Sequence, residues 1–231
     1  MNITFSYFRL SLLLLIFSAC KKNNAENVNM ECRDIDGNIY DTVSICSKSW
    51  TKENLKVSHY RNGDLIPQVQ NNLQWENLST GAWCWYNNDS TNYSSYGKLY
   101  NWYAINDSRG LAPAGWQIPT EGDWADLATC LGGEAIAGGK IKTRGTVQAS
   151  TGLWETPNVT VDPYSNFNGR PGGYRDAPGS FIGLGSYNYW WSSTAANSTT
   201  AKMRVIINFL SNMNKGSFGN NYGFYVRCRK D

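Results

Sequence analysis

The sequence predicts an α+β fold on three observations. Helical spacing of apolar residues is confined to the stretch from Ser95 to Leu131, glycine and proline crowd the middle from Leu153 to Gly185, and strand patterns return in Tyr187 to Ser193, Lys202 to Leu210 and Gly223 to Lys230. Helices early, long loops, then a late antiparallel meander is the order of an α+β domain. No repeat of about 20–50 residues runs through the chain, which excludes solenoids and propellers.

The elements follow in order. Between Glu31 and Leu55, β-branched and aromatic residues flank Asp36, Gly37 and Asn38, a hairpin signal. From Tyr60 to Trp85 the pattern is irregular and contains Pro67, and Asn87, Asn88, Asp89 and Ser90 read as an open loop. A first helix is expected from about Ser95, where Leu99, Trp102, Tyr103 and Asn106 recur at spacings of three and four. The second helix is better marked. Thr120 is a natural N-cap with Asp123 three residues on, Trp124, Leu127 and Leu131 share one face, and Gly132 and Gly133 stop it. In the last strand Phe224, Val226 and Cys228 alternate with Tyr225, Arg227 and Arg229, which predicts one apolar face and an inward Cys228.

The chain has 231 residues, with 21 Lys plus Arg against 18 Asp plus Glu. A formal charge of +3 without a run of basic residues excludes a nucleic-acid binder that neutralises many phosphates. Ten Trp, 14 Tyr and 22 Gly beside 8 Phe describe a loop-rich chain that presents polar-edged rings. The opening MNITFSYFRLSLLLLIFSAC carries one Arg, no acid and an apolar run from Leu10 to Phe17. That run is shorter than the roughly 20 residues a bilayer demands and fits a signal peptide. Its end, Phe17-Ser18-Ala19-Cys20, resembles the lipobox of bacterial lipoproteins, with Phe17 where Leu is usual. The expected organisation is therefore a lipoprotein signal peptide over 1–20, lipidation of Cys20, a flexible tether over 21–30 and a domain over 31–231. Acylated Cys20 would hold the chain on a lipid bilayer of the cell envelope, with the outer membrane favoured and the facing side open.

Five further cysteines, Cys32, Cys46, Cys84, Cys130 and Cys228, would be expected to pair in an oxidising compartment, and their odd number leaves at least one over. Sequence alone does not choose among the pairings. No two of them form CxxC and His59 is the only histidine, so structural zinc patterns are absent.

The segments DIDGNIYDTVSI, WTKENLK, YGKLYNWYAIND, GLAPAGWQIPTEGDW, LGGEAIAGGKIK, RPGGYRDAPGSFIGLGSYNYWWSST and YGFYVRCRKD, in this order, resemble the Fibrobacter succinogenes major paralogous domain over about residues 34–231. The resemblance implies secreted and lipoprotein products of Bacteroidetes and Fibrobacteres, without an established activity. More distantly, Gly172 and Gly173 and the terminal Gly223, Phe224 and Arg227 are similar to landmarks of the C-type-lectin-like fold of the formylglycine-generating sulfatase-modifying factors. Many family members, as the resemblance suggests, carry Cys where this chain has Ala112, bonded to the terminal strand. On that comparison Cys84 becomes the partner of Cys228, Cys32 with Cys46 a second pair, and Cys130 a buried thiol.

No catalytic constellation emerges. His59 lacks the context of a triad, Cys228 has no near neighbour to make the copper-binding pair of the sulfatase-modifying enzymes, and the loop carboxylates Asp162 and Asp176 read as turn residues. No metal or cofactor is expected. Calcium alone stays open, because Glu155 to Asn158 and Asn87 to Asp89 approximate lectin calcium loops. The stronger lead is aromatic. Trp154, Tyr164, Tyr174, Tyr187 and Tyr189 lie in or beside glycine-rich loops with Arg170, Arg175 and Asp176, rings that stack on sugars and groups that bind hydroxyls. Trp190 and Trp191 are adjacent in a strand, so at least one belongs to the core. The expected function is a binding or adhesion module for a glycan or a cell-surface protein. The alternative is an extracytoplasmic enzyme related to the sulfatase-modifying factors.

Overall fold

The computed structural model describes Met1, residues 31–160 and residues 164–231. The expected signal peptide, Cys20, the tether and Asp162 lie outside the described residues.

The domain opens with two hairpins. Strand β1 (Cys32–Arg33) pairs with β2 (Ile39–Tyr40) around a turn in which the Asp34 carboxylate accepts from the Asp36 and Asn38 amides and from the Tyr40 hydroxyl. Gly37 takes φ +83°, as the turn demands. Strand β3 (Thr42–Ile45) pairs with β4 (Lys48–Thr51) through a turn at Cys46 and Ser47.

Next come a short helix α1 (Asn72–Glu76), strand β5 (Trp83–Cys84), helix α2 (Ser90–Tyr93), strand β6 (Leu99–Tyr100), paired with β5, and helix α3 (Trp102–Ile105). The long helix expected from Ser95 is thus broken. Gly97 adopts φ +91°, with a hypothetical Cβ only 2.6 Å from Asn54 Cβ, so the chain turns there into β6. The Asn101 side chain then caps α3 by accepting from the Ala104 amide at 3.2 Å.

Helix α4 (Glu121–Cys130) has the expected N-terminus, a reciprocal capping box between Thr120 and Asp123. The double glycine ends it, as expected, and also turns a corner. Gly132 and Gly133 both take positive φ, and helix α5 (Glu134–Ile141) begins at once, an element the sequence reading lacked.

A five-stranded sheet, order β11-β10-β9-β7-β8, forms the centre: β7 (Gly172–Arg175), β8 (Phe181–Leu184), β9 (Tyr187–Ala195), β10 (Thr200–Ile207) and β11 (Met213–Gly219). Strands β9 to β11 are an antiparallel meander, whereas β7 meets β9 in parallel at Gly173 and Asn188. The β7–β8 hairpin lies inside the stretch expected to be loop. Its four-residue strands are too short, and too rich in Gly172, Gly173 and Gly183, to show alternation.

The chain end joins the pieces. Gly223 bridges Arg175 of β7, Phe224 bridges Tyr100 of β6, Tyr225 bridges Trp190 of β9, and β12 (Arg229–Lys230) completes the sheet β12-β4-β3. This corrects the one-sided strand expected there. Tyr225 is 0% and Arg227 1% exposed, because the segment runs between elements and is covered on both sides. Cys228 does point inward.

The disulfide is Cys46–Cys130, with Cα atoms 6.5 Å apart, tying the β3–β4 turn to the end of α4. Neither pairing derived from the resemblance forms. Cys32, Cys84 and Cys228 are free and buried, and Cys130 is an exposed half-cystine rather than a buried thiol. Cys84 and Cys228 belong to different hydrophobic clusters, which is why they do not meet.

Candidate ligand-binding face

Alternation along β9 sends Tyr187, Tyr189 and Trp191 to one face of the central sheet and Asn188, Trp190 and Ser192 to the other. On the tyrosine side the register brings Ile207, Val205 and Met203 of β10 beside them, then Asn214, Gly216 and Phe218 of β11. Tyr174 enters from β7 and Tyr222 from the turn that precedes the terminal segment.

One buried ring organises them. Phe224, 0% exposed, lies 4.8 Å from Tyr189, 5.5 Å from Phe218, 5.8 Å from Tyr222 and 5.9 Å from Tyr174, centroid to centroid. Around it Tyr174 and Tyr189 approach to 4.7 Å, Phe218 and Tyr222 to 4.9 Å, and Tyr187 stands 6.2 Å from Tyr189. Phe224 and Tyr189 stack nearly parallel, and the other pairs are edge-on or tilted, at the separations where aromatic pairs attract. Gly183, at φ +76°, leaves the space that Tyr187 occupies, since a Cβ there would run into the ring.

The five rings are half-buried, and none of the four phenol hydroxyls makes a hydrogen bond among the described residues, so their polar tips remain open to solvent. Burial, and then the other phenols, push Tyr189 up to about 12, and burial likewise raises Tyr174. Both phenols stay protonated near neutrality, able to donate as well as accept.

Of the expected site residues, the sheet brings together Tyr174, Tyr187 and Tyr189. The others have different duties. Trp154 is 0% exposed, and its Nε1 donates to Thr143 Oγ1 at 3.0 Å, so it offers a ligand no face. Arg175 is 0% exposed and donates to the carbonyls of Val69, Gln70 and Gly179 and to Asn72 Oδ1. Asp176 closes the β7–β8 turn by accepting from the Ser180 amide at 2.6 Å. Arg170 donates to the Ser95 carbonyl at 3.1 Å, and Tyr164 lies under the Arg144 guanidinium at 5.3 Å. Phe218 and Tyr222 escaped the sequence reading because they fall outside the stretch from Leu153 to Tyr189. Their signal is the glycine on either side of each ring, Gly216, Gly219 and Gly223.

Several side chains considered for calcium are engaged elsewhere, although Asn88 Oδ1 and Asn158 Oδ1 are buried without a partner among the described residues. Asn158 Nδ2 donates to the carbonyls of Thr143 and Gly145, Glu155 contacts Ser186 Oγ, and Asp89 caps α2. Among the described residues no group of three or more His, Cys, Asp or Glu is placed to hold a metal ion. His59 Nδ1 meets Asp36 Oδ1 at 2.5 Å. Cavities of about 420 and 250 Å³ adjoin one another at Arg61, Leu111 and Ala112, and none of the eight expected ligand residues lines them.

No curated protein and no solved structure matches the chain. The Fibrobacter succinogenes major domain matches residues 43–230, every strand and helix described above from β4 to β11 included. On that match, which spans most of the sequence, the chain belongs to the Fibrobacter succinogenes major domain family.

Proposed function

We propose that this protein is a lipid-anchored binding module of the bacterial cell envelope, with a lectin-like reading of its α+β fold, whose tyrosine face stacks against a neutral glycan. The observation that carries the reading is the group formed by Tyr174, Tyr187, Tyr189, Phe218 and Tyr222, half-buried on one sheet face with the phenol hydroxyls unbonded among the described residues. Rings fixed from below by Phe224 lose little freedom on binding, and protonated phenols supply hydrogen bonds to sugar hydroxyls without attracting charge. The anchor would be a thioether on Cys20, within an opening that resembles a lipoprotein signal.

The full chain in detergent, applied to a glycan array, is expected to select uncharged glycans. Tyr189→Ala and Tyr222→Ala should each weaken the selected complex by about 5- to 100-fold, the scale of losing one aromatic contact. Unchanged affinity in folded variants would sink the reading, and exclusive capture of a protein ligand would replace glycan with protein. For the anchor, detergent-phase partitioning should disappear in Cys20→Ala; a variant that still partitions argues against lipidation there.

A further inference from the structure

Among the described residues, two of the three free thiols share one cluster. Cys32 is 2% and Cys228 0% exposed, and both pack in the cluster that holds Tyr40, Leu111, Ala112 and Val226, whereas Cys84 belongs to the other one. The backbone explains the meeting. Cys32 faces Tyr40 across the first hairpin, and Tyr40 leads within two residues into Thr42, the partner of Thr51 in β4. Thr51 in turn holds Cys228: the Thr51 amide donates to the Cys228 carbonyl at 2.9 Å, and the Cys228 amide donates to Thr51 Oγ1 at 3.1 Å. Cys32 and Cys228 are thus both reached from β4 by short steps of strand pairing, and both pack in one cluster.

The chemistry around the sulfurs agrees. Among the described residues neither sulfur has a hydrogen-bond partner, so neither is committed to another role. Burial pushes Cys32 up to about 12, and burial followed by the neighbouring Cys32 raises Cys228 well above its usual range, which marks the two groups as electrostatic neighbours. Asp34 acts on both. In contrast, Cys84 has Arg175 beside it and no second thiol among its charged neighbours.

We infer that Cys32 and Cys228 are the site of a second disulfide, which clasps the first strand of the domain to its terminal segment. The oxidant is a disulfide carrier, such as an oxidised dithiol protein or oxidised glutathione. The Cys228 thiolate attacks one carrier sulfur, a mixed disulfide forms, and the other carrier sulfur leaves as a thiolate that takes up a proton. The Cys32 thiolate then attacks the Cys228 sulfur of the mixed disulfide and expels the second carrier thiol. Two electrons and two protons pass to the carrier, and one S–S bond joins the chain. Since both thiols are buried and held protonated once the domain is closed, the exchange belongs to folding rather than to the finished molecule. The bond closes a loop of nearly 200 residues around the whole domain, beside the segment whose Phe224 seats the tyrosine face.

The test is to refold the full chain from denaturant in a mixture of oxidised and reduced glutathione, alkylate it under denaturing conditions and map peptides without reduction. The inference expects a Cys32–Cys228 peptide, with Cys84 recovered as alkylated thiol. Recovery of both Cys32 and Cys228 as alkylated thiols overturns it, as does a bond from either to Cys84. A thermal cycle gives an independent reading. Cys32→Ser, Cys228→Ser and the double variant should all melt lower by the same amount, about 5–10 °C, because each removes the one bond. Additive shifts, the behaviour of two separate buried thiols, overturn the inference as well.

Discussion

The two faces of the central sheet are made from the same strands and treated in opposite ways. On the helix side most polar strand groups are matched, the buried Arg204 Nε excepted. Trp190 stacks on Trp124 at 5.7 Å and meets Phe167 at 5.6 Å, and its Nε1 donates to Asn54 at 2.8 Å. Arg204, 0% exposed, reaches Glu121 at 2.6 Å and Glu134 at 2.8 Å, one at the start of each long helix. On the other face, Tyr187 and Tyr189 alternate with those residues along β9, yet their hydroxyls find no partner among the described residues. A buried group left unmatched costs free energy, so closure is enforced on the first face. The second face tolerates unmatched groups only because water reaches them. The sheet is thus closed on one side, and on the other it passes from the buried Trp191 to tyrosines whose hydroxyls stay open.

The widest test of that contrast is a pair of truncations in one strand. Trp190→Ala should lower stability by about 3–5 kcal/mol, the range for removing a buried ring and leaving a cavity. Tyr187→Ala should cost under about 1.5 kcal/mol, since the ring is only partly buried. Denaturant titration of both variants decides it, and equal losses would erase the distinction between the faces.

A smaller, pH-dependent effect sharpens the helix side. Asp123 is a buried carboxylate at the start of α4. Burial opposes its charge, but Lys48, Thr120 and Arg229 more than compensate and hold it at about 2, below the usual 3.8. A depressed acid stabilises the fold above its unfolded value and loses that contribution as pH falls through its folded one. The stability difference between the parent and Asp123→Asn should therefore shrink by about 2 kcal/mol between pH 5 and pH 2. A difference that stays flat over this window would mean that the carboxylate's charge contributes nothing.

Local signals were legible in the sequence where they act locally. Thr120 and Asp123 announce α4 because a capping box is completed within four residues. Helix α5 was hidden, because it carries two adjacent glycines, Gly138 and Gly139, in an eight-residue span. Their real requirement lies 74 residues away, where the Asn212 carbonyl sits against Gly138 and leaves no room for a Cβ. The broken helix after Ser95 failed for a similar reason: Leu99 and Trp102 keep helical spacing, but Leu99 is claimed by β5. For the candidate site, three tyrosines could be named from their glycine-rich surroundings. That Trp154 is core and Tyr222 is surface depends on where distant strands land, which spacing does not encode.

The joining of β6, β7, β9 and β4 by residues 223–230 has a consequence for the order in which the protein can assemble. A chain that leaves its ribosome amino-terminus first, or threads a channel in that direction, has made every sheet fragment before it has made the segment that unites them. Until those last residues emerge, Tyr100, Arg175 and Trp190 lack the strand that links them, and long-range contacts of this kind are the slowest to form. Closure of the domain is therefore deferred until residues 223–230 are free, and the nascent domain stays open and threadable until then.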